Sequence, residues 1–320
     1  MEILTSCSGF SAEFISSAVT LGNFDGVHLG HRELFRTLVK TARRLNCPSI
    51  VYTFNPHPLK FLYPENAPLL LNTPAEKQRL IAASHVDYLI EMPFTADFAT
   101  MSPEQFVADI LVEQLKIKVL IVGYDYAFGK GRRGDTEFLK SCGEKYGFHV
   151  NVLQPVGADG LPYSSTRIRQ MIAAGDVVNV VQLLGRQYNL EGVVVPGDQR
   201  GRQLGFPTAN LQTEKEQLPA PGVYAVKVRH NLQEYGGVVN IGNRPTFDGK
   251  KRTIEVYLLD FTGQLYGQKL RIYFVEKLRD EQKFDNIETL VKTIEMDVVR
   301  ARQILQAVQI IQYREYLSLK

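Results

Sequence analysis

Through the first 155 residues, short apolar runs alternate with amphipathic stretches. The runs at 18–23, 49–54, 86–91, 117–123 and 148–153 are rich in branched residues and do not alternate polar with apolar. Strands buried on both faces of a parallel sheet have this pattern. Between them, a helix is expected from His31 to Asn46. Thr73-Pro74-Ala75-Glu76 and Ser102-Pro103-Glu104-Gln105 each supply a capping hydroxyl, a proline in the first turn and a side chain that can reach back. Strand, helix and strand in series predict a Rossmann-like, doubly wound α/β domain, whose ligands lie beyond the carboxyl ends of the strands.

Two short helices are expected next, 165–174 ended by Gly175, and 176–184. After Gly185-Arg186 the pattern changes. Segments 188–195, 222–229, 235–241, 252–261 and 268–276 are strand-like, some with period-two alternation as in Val226-Lys227-Val228-Arg229, and turn residues separate them. A last helix, 286–307, carries an apolar stripe of Ile287, Leu290, Val291, Ile294, Val298 and Leu305. The second half therefore reads as a small antiparallel β-barrel with a terminal helix. The expected domains are 1–186 and 187–320.

The chain of 320 residues is long enough for two domains with cores of their own. A net charge of +3 is too small to make nucleic acid the main ligand, and it suits small anionic substrates. Glu2 and the lack of an early basic cluster argue against a secretory leader. No apolar run reaches membrane-spanning length. Cys7, Cys47 and Cys142 are odd in number and widely spaced, as expected of reduced structural thiols. Together these features predict a cytoplasmic protein with no membrane or nucleic-acid partner; nothing in the sequence sets an oligomeric state.

The candidate chemistry starts at Thr20-Leu21-Gly22-Asn23-Phe24-Asp25-Gly26-Val27-His28-Leu29-Gly30-His31, where a strand gives way to a helix. A tight turn at a helix N-terminus binds anions through unpaired N–H groups and the positive end of the dipole. His28 and His31 add donors for phosphoryl oxygens, and Gly30 lets a nucleotide approach the backbone. This stretch resembles the His-x-Gly-His adenylyl-transfer motif of bacterial bifunctional riboflavin kinase/FAD synthetases. The resemblance implies nucleotide contacts at Gly22, Phe24, Asp25 and Gly30.

Three further strings extend the likeness in the first half. Thr53-Phe54-Asn55-Pro56-His57-Pro58 follows the second strand. Its prolines fix a loop in which Phe54 and His57 offer flat faces to an aromatic ligand. The family usually has Asp where Asn55 stands. Residues 122–135 hold a literal Gly-x-Gly-x-x-Gly (Gly129, Gly131, Gly134), but too far from the strand end for a dinucleotide fingerprint. The string instead is similar to the family segment in which Asp125 and Phe128 line the nucleotide and flavin. Ser164-Ser165-Thr166-Arg167-Ile168-Arg169 is similar to the motif whose hydroxyls (Ser165, Thr166) and Arg169 hold the ATP phosphates.

In the second half, Gly201 and Gly205 flank Arg202 in a loop able to wrap phosphates, and Thr208 and Asn210 offer neutral oxygens suited to Mg²⁺. Gly205-Phe206-Pro207-Thr208-Ala209-Asn210 resembles the riboflavin kinase signature. By that resemblance Glu255, a strand carboxylate among apolar residues, is the base for the riboflavin 5′-hydroxyl, and Arg279 and Glu281 border the flavin. The joint likeness runs from about 18 to 305 and implies ATP as co-substrate, Mg²⁺ as cofactor, and riboflavin, FMN and FAD as substrates and products. Two rivals are weighed against it. One is a His-x-Gly-His adenylyltransferase with another acceptor, for which the second domain has no use. The other is a flavin- or RNA-binding regulator without turnover, for which retention of His28, His31, Thr208 and Glu255 has no use.

Overall fold

The computed structural model describes residues 1–311 apart from 9, 11–13, 130, 132, 159, 198, 199, 247 and 248. It divides into two compact units, Met1–Ser165 and a second that starts at Thr166.

The first unit is built on a six-stranded parallel sheet of β1 (Glu2–Leu4), β2 (Ser17–Leu21), β3 (Ser49–Phe54), β4 (Tyr88–Met92), β5 (Ile117–Gly123) and β6 (His149–Leu153). The order is β1-β4-β3-β2-β5-β6. Five of these strands fall where the apolar runs predict them. β1 does not, because three residues are too few to form a pattern. Every residue of β2 is buried. Its neighbours are β3 on one side and β5 on the other, so the strand order reverses beside it. A sheet of this kind opens a crevice at such a switch point.

The helix expected from His31 begins earlier, at Leu29, and runs to Leu45. It buries Phe35, Leu38, Val39 and Ala42 against the sheet, and Asn46 ends it in a left-handed turn (φ 51°). Thr73 Oγ1 caps the Pro74–Ala82 helix, and Ser102 with Gln105 closes a full capping box. A short hairpin, β7 (Gly157–Ala158) and β8 (Leu161–Pro162), precedes Ser165.

In the second unit, β9 (Asn189–Val195), β10 (Ala209–Gln212), β11 (Gly222–His230), β12 (Gln233–Thr246), β13 (Gly249–Leu258) and β14 (Lys269–Arg279) close a barrel. Their order is β10-β13-β12-β11-β14-β9. Tyr224, Val226, Val239, Ile241, Val256, Ile272 and Phe274 are completely buried on its inner face. The outer face presents Val223, Ala225, Val238 and Leu278 to Ala301 and Leu305 of the Ile287–Gln306 helix. Ile287, expected to open the buried stripe, is exposed: it sits in the first turn. The helices Ser165–Ala174 and Val180–Leu184 lead into the barrel. The Ala220 N–H donates to the Ile172 carbonyl, and Gly175 (φ 83°) lies against Tyr224 and Lys277. This packing is why the second unit starts ahead of the change in sequence pattern at 186.

Candidate functional site

At the carboxyl end of β2 the chain turns sharply, with positive φ at Phe24 (50°), Gly26 (84°) and Val27 (39°). For a branched residue such as Val27 this region is costly, and packing must enforce it; Val27 is fully buried. The turn delivers His28 to the N-cap of the Leu29–Leu45 helix, where its Nδ1 accepts the His31 backbone N–H at 3.3 Å. That bond places the imidazole proton on Nε2, which becomes a donor. The His31 ring stacks on His28 at 3.6 Å between centroids, and the Phe24 ring meets His31 edge-on. A Cβ on Gly22 would fall 2.8 Å from the Phe24 ring, and one on Gly30 would fall 3.2 Å from the His28 ring. Both glycines therefore serve the packing of this ring group.

Asp25 is buried, and its carboxylate accepts the backbone N–H groups of Leu71 (3.0 Å) and Asn72 (3.2 Å). The Ser165 hydroxyl donates to the Asp25 carbonyl at 2.8 Å. These contacts give both residues a part in shaping the turn. Thr166 is exposed and Arg169 half-buried, one turn apart on the Ser165–Ala174 helix.

His57 caps the Pro58–Leu62 helix through Nδ1, and the Asn55–Pro56 peptide is cis. Phe54 and Phe128 stand at the two ends of a ring chain, Phe54–Phe98–Phe106–Phe128, with centroids 4.9 to 5.9 Å apart. The two strings expected to touch a flavin are thus joined by one aromatic wall. Phe98 and Phe106 are unremarkable in the sequence. Asp125 is exposed, its carboxylate beside Gly123. Lys130 and Arg132 of that string lie outside the described residues.

On the outer face of the barrel, Asn210 of β10, Glu255 of β13 and Asn240 of β12 form one cross-strand row. Glu255 is half-buried. The Asn210 amide fills the space a side chain at Gly197 would need, with Nδ2 2.0 Å from the Cβ position. A Cβ on Gly201 would fall 3.3 Å from Thr208 Oγ1. The loop glycines therefore leave room for these two donors. Thr208 and Asn210 fit Mg²⁺, which accepts a few neutral oxygens while keeping waters and substrate phosphates. Gly205 (φ 87°) has open space around it, and of Arg202 only the backbone belongs to the described residues. Glu281 is exposed, its carboxylate 3.0 Å from the Cβ position of Gly242. Arg279 forms an ion pair with the buried Asp297 (Nε–Oδ2 2.9 Å) and stacks on Phe284. It clasps β14 to the terminal helix. Asn240 has no role assigned from sequence.

Comparison with known proteins assigns each unit. A family model described as FAD synthetase matches residues 11–167, and one described as riboflavin kinase matches 184–305. The bifunctional riboflavin kinase/FMN adenylyltransferase of Escherichia coli (strain K12) is 40% identical over 286 residues, 89% of this chain and 91% of that one. The protein of the same name from Pseudomonas fluorescens is 40% identical over 303 residues, covering 94% and 97%. A solved structure titled as a macrolide-efflux protein from Streptococcus pneumoniae superposes with a TM-score of 0.85 at 34% identity, covering 94% and 98%. Among the described residues, no helix is long and apolar enough to cross a membrane. A nucleotide-handling α/β unit joined to a kinase-type barrel is the class defined by fold and matches together. The chain belongs to the family of bifunctional riboflavin kinase/FMN adenylyltransferases.

Proposed function

We propose that this chain makes FAD from riboflavin in two ATP-dependent steps, one in each functional domain (1–186 and 187–320). The observation that carries this is the tandem of matches, FAD synthetase over 11–167 and riboflavin kinase over 184–305.

In the kinase step the riboflavin 5′-oxygen attacks the γ-phosphorus of ATP, the hydroxyl proton passes to Glu255, and ADP leaves. An alcohol is a weak nucleophile, so a base in reach contributes on the order of 10²–10⁴-fold. The Gly201–Gly205 loop, with Arg202, wraps the phosphates, and Arg279 and Glu281 border the flavin. Thr208 and Asn210 would hold Mg²⁺, which when bound supplies charge neutralisation for phosphoryl transfer.

In the adenylyl step a phosphate oxygen of FMN attacks the α-phosphorus of a second ATP and pyrophosphate leaves. No base is required, because the phosphate monoester is already anionic. His28 Nε2–H, His31, Arg169 and the helix N-terminus stabilise charge on the phosphoryl oxygens. Gly22, Phe24, Asp25, Gly30, Asp125, Ser165 and Thr166 shape the nucleotide subsite; Phe54, Pro56, His57, Pro58 and Phe128 shape the flavin subsite. A cytoplasmic location fits this reading.

Chromatography of flavins after incubation with riboflavin, ATP and Mg²⁺ tests the proposal. FMN should appear first and FAD second, both abolished by chelation. Absence of any conversion would return the binding-protein reading.

A further inference from the structure

Lys77 lies outside every motif of the sequence, yet its side chain is largely buried at the carboxyl end of the sheet (12% exposed). It projects from the Pro74–Ala82 helix toward the end of β3. Its Nζ donates to Thr53 Oγ1 and to the Phe54 carbonyl, both at 3.3 Å. Thr53, fully buried, donates its own hydroxyl to the Asn23 carbonyl at 3.3 Å. Behind the ammonium stands Glu91 of β4, also buried, at 3.7 Å, and Glu91 is fixed by Gln78 Nε2 at 2.6 Å. The shorter contacts of the ammonium thus go to the last two residues of β3, and the carboxylate serves as counter-charge.

A buried ion pair is poor value as a stabiliser, because desolvation offsets most of the attraction and well-packed apolar residues often do as well. Burial lowers the pKa of Lys77, while Glu91 and Asp25 pull it back up. Three donors on one flexible stem do what an apolar pair could not: they bind two oxygens at the end of β3, one of them the Thr53 hydroxyl that itself donates to the Asn23 carbonyl. The same helix is tied to the turn a second time, since Asp25 holds the N–H groups of Leu71 and Asn72 just ahead of it.

We infer that Lys77 is a positioning residue for adenylyl transfer, fixing the end of β3 from which the flavin-side loop leaves and, through the Thr53 hydroxyl, the nucleotide-side turn at Asn23. The inference rests on the proposed FMN adenylyltransferase reading of the first domain. FMN and ATP must meet in line, and a displacement of about 1 Å between their loops can cost on the order of 10²-fold in rate.

The test uses the full chain and follows both reactions. Lys77→Met removes the clamp, and Lys77→Met with Glu91→Gln removes it without leaving a lone buried charge. Thr53→Val keeps the shape and both charges but cuts the relay to Asn23. All three variants should lose about 10²-fold in kcat/KM for FMN adenylylation, with riboflavin phosphorylation unchanged. The thermal midpoint should fall mainly for Lys77→Met alone. Recovery of wild-type kcat/KM in the double variant, or no loss in Thr53→Val, would make Lys77 merely structural and overturn the inference. Should the unmutated chain make no FAD from FMN, the functional reading itself fails and the inference with it.

Discussion

Asn210 and Glu255 stand directly opposite each other on the antiparallel strands β10 and β13. An amide able to reach a metal ion and a carboxylate able to take a proton are therefore held one strand spacing apart on the outer face of a closed barrel. Side chains directly opposite on one face come within about 5 Å at Cβ. A phosphoryl group bound through a metal ion and the hydroxyl that attacks it need a metal ligand and a proton acceptor this close together.

Glu255→Gln keeps the shape and removes the base. Formation of FMN should fall by about 10²–10⁴-fold, while conversion of added FMN to FAD continues. Assay of each reaction separately checks this, and a retained kinase rate would remove Glu255 from the mechanism.

Replacing His28 and His31 by Ala should have the opposite selectivity. Loss of one preorganised donor costs about 10²–10³-fold, so FAD formation should become undetectable while FMN still accumulates. His28 also caps its helix, and loss of a cap costs about 1 kcal/mol; the thermal midpoint of the variant should therefore drop modestly and the protein stay folded.

Gly197→Ala probes the proposed Mg²⁺ site from outside it. The new methyl would fall 2.0 Å from Asn210 Nδ2, so the amide must turn away. The Mg²⁺ concentration for half-maximal kinase rate should rise by about tenfold, the effect of roughly 1.4 kcal/mol, with FAD formation from FMN unchanged. An unshifted Mg²⁺ dependence would argue against Asn210 as a ligand.

Arg279 and Asp297 should behave as one structural unit. Removing either partner leaves the other poorly satisfied in a partly buried place, at a cost of about 1–3 kcal/mol. Asp297→Asn should thus lower the thermal midpoint and the kinase rate much as Arg279→Ala does. If only the Arg279 variant weakens riboflavin binding, Arg279 acts on the flavin directly.

The layout of the fold was legible because buried parallel strands and half-exposed barrel strands differ in pattern. Four strands escaped for the same physical reason: β1 and β10 have three and four residues, and β7 and β8 two each, too short for any period to register. β10 lay inside a string read for its chemistry, and it is the strand that closes the barrel and carries Asn210. His28 and His31 were legible as a candidate anion site because turn, helix and rings adjoin in sequence. The positions of Asp25 and Arg279 were legible, but their contacts were not, since Leu71 and Asp297 are distant along the chain. Lys77 gave no signal at all: its partners Thr53, Phe54 and Glu91 come from two other strands, and only the folded sheet brings them together.

The central claim is that two independent sites on one chain act in sequence. The most direct measurement mixes two variants, Glu255→Gln and His28→Ala/His31→Ala, with riboflavin, ATP and Mg²⁺, and follows flavins by chromatography. Alone, the first should convert riboflavin about 10²–10⁴-fold more slowly and the second should stop at FMN; mixed, they should produce FAD. Loss of both conversions in either folded variant, or no FAD from the mixture, would contradict the account.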